Sequence, residues 1–121
     1  MNNLVLLTIS IPAHNKSFLL KEAISSILNE PGFSEEVNIA ISDNSLSNDI
    51  KYLFEEKYSK NASINFFDSK IYKCLDSNVN RAVNIASGEY VWIFGDDDII
   101  VPGVLGDCLL YTSPSPRDSS Q

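Results

Sequence analysis

Three consecutive aspartates, Asp96, Asp97 and Asp98, stand between two apolar runs in YVWIFGDDDIIV, Tyr90 to Val101. Like charges this close repel, and a carboxylate that leaves water is costly unless something pairs with it. One arrangement that relieves the cost is bland: a solvated turn, or caps for a following helix. The other is chemical. Mg²⁺ or Mn²⁺ takes one or two carboxylates and completes its shell with phosphate oxygens and water. A diphosphate alone would be repelled, since two unit charges about 4 Å apart interact by roughly 4 kcal/mol at an effective dielectric near ~20. A divalent cation reverses that sign and, as a Lewis acid, stabilises charge on a departing diphosphate. The pattern therefore favours a metal-bridged nucleoside diphosphate.

The elements that must position these residues alternate. Leu4 to Ile11, LVLLTISI, is a continuous apolar run rich in β-branched residues that ends at Pro12, the mark of a strand buried on both faces. Phe18 to Asn29 carries Leu20, Ala23, Ile24, Ile27 and Leu28 at helical spacing and stops at Pro31-Gly32. Val37 to Ser42 reads as a second strand. Asp49 to Tyr58 reads as a helix with Ser47 or Asn48 as its N-cap. Ser63 to Phe67 is a weaker third strand. Ser77 to Ser87 places Val79, Ala82, Val83 and Ala86 on one helical face, with Gly88 as its C-cap, and Tyr90 to Phe94 is a fourth strand. This order predicts an α/β fold, an open, mostly parallel sheet with flanking helices joined by right-handed crossovers. In such sheets ligands bind beyond the carboxyl ends of the strands. The segments there are PAHN (Pro12 to Asn15), DNSLSND (Asp43 to Asp49), DSK (Asp68 to Lys70) and GDDD (Gly95 to Asp98), so the polar side chains gather on one edge.

Composition narrows the classes. The chain has 121 residues, 44% hydrophobic and 21% charged, which is one globular domain's worth. A net charge of −7 argues against nucleic acid as a partner. Cys74 and Cys108 form no metal-ligand pattern and read as reduced thiols. The first residues lack a basic signal region, and no apolar run approaches the ~18 residues of a membrane span. A phospho-receiver domain or an aspartyl-phosphate phosphatase would need a carboxylate at the end of the first strand, where IPAHN has none. There is also no Gly-rich phosphate loop of the P-loop or dinucleotide type.

Three motifs in order, ISIPAHNKSFLLKEAISSIL, AISDNS and NRAVNIASGEYVWIFGDDDIIVPGVL, make the chain resemble the nucleotide-binding half of a family 2 (GT-A fold) glycosyltransferase over roughly residues 4–105. The form YVWIFGDDD is most similar to abequosyltransferases and related O-antigen sugar transferases. The resemblance implies a nucleoside-diphosphate sugar as donor, a saccharide or lipid-linked acceptor, Mn²⁺ or Mg²⁺ as cofactor, and transfer with inversion. It implies that Pro12, Ala13, His14 and Asn15 support base and ribose, that Asp43 accepts a hydrogen bond from the base, and that Asn44 shapes that pocket. Asn80 matches a recurring polar position, whereas Arg81 reads as surface. Where the family commonly has D-x-D-D, Gly95 stands in place of the first Asp. Asp97 then corresponds to the principal metal ligand, Asp96 is second and faces the donor sugar or ribose, and Asp98 is the following acid.

Residues 1–105 are thus expected to be the nucleotide-sugar-binding half, and 106–121, rich in Ser and Pro, a disordered tail foreign to the native sequence. The fold is expected to be truncated before the catalytic base, so that the chain binds nucleotide without transferring sugar. The expected setting is cytoplasmic, with peripheral attachment to the cytoplasmic face of a membrane allowed. Two other readings stay open: a non-catalytic nucleotide-sugar-binding module, and a nucleotidyltransferase. The latter is disfavoured because PAHNKSF offers only Lys16 where a basic, Gly-rich loop would hold a triphosphate.

Overall fold

A computed structural model describes residues 5–70 and 75–112. Cys74 and residues 113–121 lie outside the described residues. The described elements run β1 (Leu7–Ala13), α1 (Ser17–Leu28), β2 (Val37–Asp43), α2 (Asp49–Leu53) continuing into a π-helical turn (Phe54–Tyr58), β3 (Ile64–Asp68), α3 (Leu75–Asn84), β4 (Tyr90–Ile93) and α4 (Val104–Thr112). The four strands form one parallel sheet in the order β3-β2-β1-β4. The α/β class and the parallel sheet expected from the sequence are what the structure has.

The order has a direct consequence for the site. The chain steps outward from β1 to β2 to β3, then returns across the sheet to place β4 on the other side of β1. Right-handed crossovers in opposite directions put their helices on opposite faces. Accordingly α1 and α2 contact each other, while α3 packs on β1, β2 and β4. The strand order reverses between β1 and β4, and a crevice opens at the carboxyl ends of strands at such a point.

The core explains the unbroken apolar runs. Every residue of β2 is buried, as is all of β1 except Pro12. Ile9, Ile11, Ile39 and Ile41 lie inside, covered by Leu20, Ala23, Ile24 and Ile27 of α1. Burying one such side chain stabilises the fold by about 1.5–3 kcal/mol. Trp92 on β4 and Phe94, one residue past the strand's end rather than within it as expected, meet edge to face at 5.6 Å and pack into the core. The rest of β4 is more open, with Tyr90, Val91 and Ile93 exposed on this outer strand.

Several boundaries differ from the expectations. β1 does not end at Pro12 but continues through it to Ala13, with Pro12 opposite Ser42. Pairing with β4 stops at Ser10, which leaves one flank of β1 open where a residue without an N–H is tolerated. β2 runs one residue further, so Asp43 is its last strand position. Asn48 precedes α2 but makes no side-chain cap bond. The buried face of α3 is set by Asn78 and Ala82, while Val83 is exposed. Gly88 is not the C-cap of α3, which ends at Asn84. It lies where the chain enters β4, and a Cβ there would meet the Thr8 nitrogen at 2.7 Å and the Leu7 carbonyl carbon at 2.9 Å. Its N–H donates to Thr8 Oγ1 at 2.8 Å, and Thr8 in turn donates to Asn38 at 2.6 Å. Gly88 thus serves close approach to β1. Finally, α4 runs through position 106 to Thr112, with Leu105 fully buried and Leu109 packed against the core. Residues 106–112 are therefore helical where a disordered tail was expected. The apolar residues of LLYT continue the turn before Ser113 and Pro114 are reached.

Candidate functional site

The exits of β1, β2 and β4 converge. Ala13 ends β1, and its carbonyl accepts from the Asn44 N–H at 3.0 Å, joining the first two exits. Asn15 adopts a left-handed conformation, φ 59°, which Asn tolerates better than most residues. That turn lets its main-chain N–H donate to Ser45 Oγ at 2.7 Å while its Oδ1 accepts from the Leu46 N–H at 2.8 Å. The imidazole of His14 sits between two asparagines. Its Nδ1 lies 3.0 Å from Asn44 Oδ1 and 3.2 Å from the Asn44 carbonyl. Both are acceptors, so Nδ1 carries the proton and Nε2 accepts from Asn15 Nδ2 at 3.1 Å. PAHN is a hydrogen-bonded clip between two strand ends.

Asp43 is wholly buried at the end of β2. Its Oδ1 accepts from the Ser45 N–H at 2.9 Å, but Oδ2 receives no hydrogen bond among the described residues. Lys70 Nζ stands 3.6 Å from that oxygen. Behind Asp43, Ser42 Oγ donates to Asn78 Oδ1 at 2.6 Å and lies 2.7 Å from Ser69 Oγ, while Asn78 Nδ2 donates to the Ser42 carbonyl at 3.2 Å. Arg81, expected on the surface, is half-buried; it donates to Ser69 Oγ at 3.4 Å and lies over the Phe67 ring at 6.0 Å. The α3 residue that supports the site from inside is thus Asn78. Asn80 is exposed and lines a shallow cavity of about 190 Å³ with Ser77, Arg81 and Asn84.

The aspartates after β4 face three different partners. Asp96 is half-buried, and its Oδ2 accepts the main-chain N–H of His14 at 3.0 Å, 82 positions away in sequence. Burial raises its carboxyl above the usual value and Asp97 adds to this, while the His14 N–H and the Lys16 charge pull it back. Asp97 is half exposed and pairs loosely with Lys16 Nζ at 3.8 Å. Asp98 turns back on its own loop: its Oδ2 accepts from the Gly95 N–H at 3.2 Å, and its N–H donates to the Gly95 carbonyl at 3.1 Å. A Cβ at position 95 would come within 2.6 Å of Asp98 Oδ2, so the missing first carboxylate leaves the room in which Asp98 folds over. The loop is also held downstream. Ile100 N–H donates to Ser26 Oγ at 3.1 Å, and Glu30 at the end of α1 accepts from the N–H groups of Gly103 and Leu105.

Among the described residues no group of three His, Cys, Asp or Glu side chains converges as a metal cage. A cation that keeps waters and shares phosphate oxygens needs only one or two carboxylates. Adjacent Asp96 and Asp97 fit that donor set, while one oxygen of Asp98 already accepts the Gly95 N–H. Lys70, Asn78, Ser45 and Glu30 were not singled out from the sequence. Lys70 carried a signal, as a cation among strand-end acids. Asn78 carried none, being a polar residue on a face sought by its apolar spacing.

Residues 8–119 match the profile of glycosyl transferase family 2. The chain belongs to this family. It is 30% identical over 108 residues to abequosyltransferase RfbV of Salmonella typhimurium strain LT2, covering 88% of this chain and 32% of that protein. It is 32% identical over 100 residues to the GalNAc(5)-diNAcBac-PP-undecaprenol beta-1,3-glucosyltransferase of Campylobacter jejuni, covering 82% of this chain and 32% of the relative. The chain therefore spans about a third of the length of these two family members. In fold it is similar to S. aureus TarS residues 1–349, with a TM-score of 0.71 and 20% identity over 88% of this chain and 32% of TarS 1–349. The sheet and flanking helices are those of a GT-A glycosyltransferase.

Proposed function

We propose that this family 2 chain forms the donor side of a metal-dependent, inverting glycosyltransferase that moves a sugar from a nucleoside diphosphate to a saccharide or lipid-linked acceptor. The observation that carries the reading is the 3.0 Å bond from the His14 N–H to Asp96, which joins the acidic loop to the β1 exit where the strand order reverses. Through His14, whose ring meets Asn44, the bond links the acidic loop to the β2 exit that carries Asp43. In this reading Asp43 offers a fixed acceptor to a base N–H, and Pro12, Ala13, His14, Asn15 and Asn44 form the wall along base and ribose. Asp97, assisted by Asp96, holds Mg²⁺ or Mn²⁺. The bound cation would supply Lewis-acid stabilisation of the diphosphate as it leaves. The acceptor hydroxyl must lose a proton to a general base, and no described residue is assigned that role. The acceptor class rests on the two curated relatives, one of which is named for an undecaprenol-linked substrate. We also propose a cytoplasmic setting, peripheral to a membrane, where a lipid-linked acceptor would be within reach.

The test is calorimetric titration of nucleoside diphosphate into the 121-residue chain with and without Mn²⁺. Mn²⁺ is expected to tighten binding, and Asp97→Ala to remove that gain while leaving metal-free binding and the melting temperature nearly unchanged, since the residue is half exposed. Metal enhancement that survives in D97A would overturn the assignment.

A further inference from the structure

Glu30 stands two residues past α1 and is buried, a carboxylate to which the donor-side reading gives no part. Its Oε1 accepts from the Gly103 N–H at 3.0 Å and from the Leu105 N–H at 3.2 Å, and Oε2 shares the Gly103 N–H at 3.2 Å. One helical turn earlier, Ser26 donates its hydroxyl to the Ala23 carbonyl at 2.7 Å and accepts the Ile100 N–H at 3.1 Å. The end of α1 thus grips the segment that follows the acidic loop.

That loop is short. Upstream it is fixed where the Phe94 N–H donates to the Ser10 carbonyl at 2.9 Å. Gly95 and Asp98 close a turn of their own, so Ile99 alone separates that turn from the anchor at Ile100. A shift at Ile100 has one residue in which to be absorbed before it reaches the aspartates. Asp96 and Asp97 repel each other, and holding both carboxylates toward one cation costs entropy. Anchors formed on folding reduce what binding must still order. Ile100 and Leu105 pack in the core, which sets the depth of the segment, and the N–H groups held by Ser26 and Glu30 set its direction.

We propose that Ser26 and Glu30 are positioning residues for the cation: from the end of α1 they hold the acidic loop so that Asp97 and Asp96 face one ion together. Both oxygens of Glu30 accept main-chain N–H groups, so it acts through the loop and not as a ligand. The part it plays is that of a hydrogen-bond acceptor, not of a charge. The proposal rests on the donor-side reading above, which puts the cation on Asp97 and Asp96 but leaves α1 out.

The test measures the gain that Mn²⁺ brings to nucleotide binding. The tightest binder among UDP, CDP, ADP and GDP is titrated into the 121-residue chain with and without Mn²⁺, and the ratio of the two affinities is the gain. Glu30→Ala is expected to remove most of it, on the scale of roughly tenfold to a hundredfold seen when a group that orients a metal ligand is lost. Metal-free affinity should stay unchanged, because PAHN is held from the β2 exit. Glu30→Gln should restore the gain, since one amide oxygen can accept both N–H groups as Oε1 does. A glutamine variant as poor as the alanine one would make the effect one of charge and overturn the proposal. Equal losses with and without Mn²⁺ would reduce Glu30 to a prop of the fold and overturn it too. Should E30A not fold, Ser26→Ala removes only the acceptor for Ile100 and is expected to lower the gain by roughly threefold to tenfold, the scale of one neutral hydrogen bond. Wild-type chain that binds nucleotide with no gain from Mn²⁺ refutes the cation reading and this proposal with it. A wild-type gain that survives in E30A, or in S26A where only that variant folds, refutes the proposal alone.

Discussion

The same residue type ends two strands of this sheet in opposite states. After β2, Asp43 is sealed from solvent and backed by Ser42, Ser69 and Asn78. After β4, Asp97 is half exposed and its ion pair to Lys16 is long. Burial determines what each carboxylate can do. A sealed carboxylate with one unmet oxygen acts as a fixed acceptor, suited to a neutral N–H of defined direction. An open carboxylate keeps access to water and phosphate, which suits a hydrated divalent cation. Direction comes from the buried side and charge from the open side. Asp96 stands between the two, half-buried and tied to His14.

Substitutions can break or sharpen this contrast. The largest effect is expected from Asp43→Ala, which removes the fixed acceptor and strands the Lys70 ammonium beside a cavity. Nucleotide affinity should fall by roughly 1.5–3 kcal/mol, with or without Mn²⁺, as read by calorimetry. A loss seen only with Mn²⁺ would erase the distinction between the two exits. Next is Asn78→Ala, which orphans the buried Ser42 hydroxyl and carbonyl. Chemical denaturation should show a loss of about 1–3 kcal/mol. An unchanged midpoint would mean that the wiring behind Asp43 does not hold it. The smallest effect is expected at Asp96. Its folded carboxyl titrates above its usual value, so the folded state favours the protonated form. The associated stability is full below the ordinary carboxylate pKa, about 4, and is lost as pH rises through the raised folded value. Asp96→Asn cannot ionise yet still accepts from the His14 N–H. It should melt slightly above wild type at neutral pH, with the gap closing under acid; a gap that widens on acidification would reverse the sign.

Much of the frame was legible in the sequence because parallel strands buried on both faces leave unbroken apolar runs. LVLLTISI and VNIAIS could hardly be anything else, and the polar segments that follow them had to share one edge. PAHN and Asp43 were legible for that reason, and the structure brings them together. Lys70 and Asn78 were not, because their roles depend on who faces them across the sheet. Asn78 contacts Ser42, 36 positions away, and no local periodicity encodes that. The same blindness shifted the buried face of α3 by one position, from Val79 and Val83 to Asn78 and Ala82. Gly88 was misread because a glycine after a helix ordinarily suits a cap, whereas here the pressure comes from Thr8, 80 positions distant. The sequence ranked Asp98 behind Asp97 and Asp96, but its turn with Gly95 was not legible there.

The sheet order also bears on how the pocket assembles in time. β1 can pair with β2 once the residues of α1 are made, but its pairing with β4 must await a segment some 80 positions later. Contacts of such separation form late and slowly. The Asp43 side can therefore be complete while the acidic loop is still searching for His14. Among the described residues β4, like β3, has one strand neighbour, and it pairs over four positions against five for β3, so it is readily released from the finished sheet. Any ligand that grips both exits would clamp β4 shut, and by mass action its affinity would reappear as added stability of that strand.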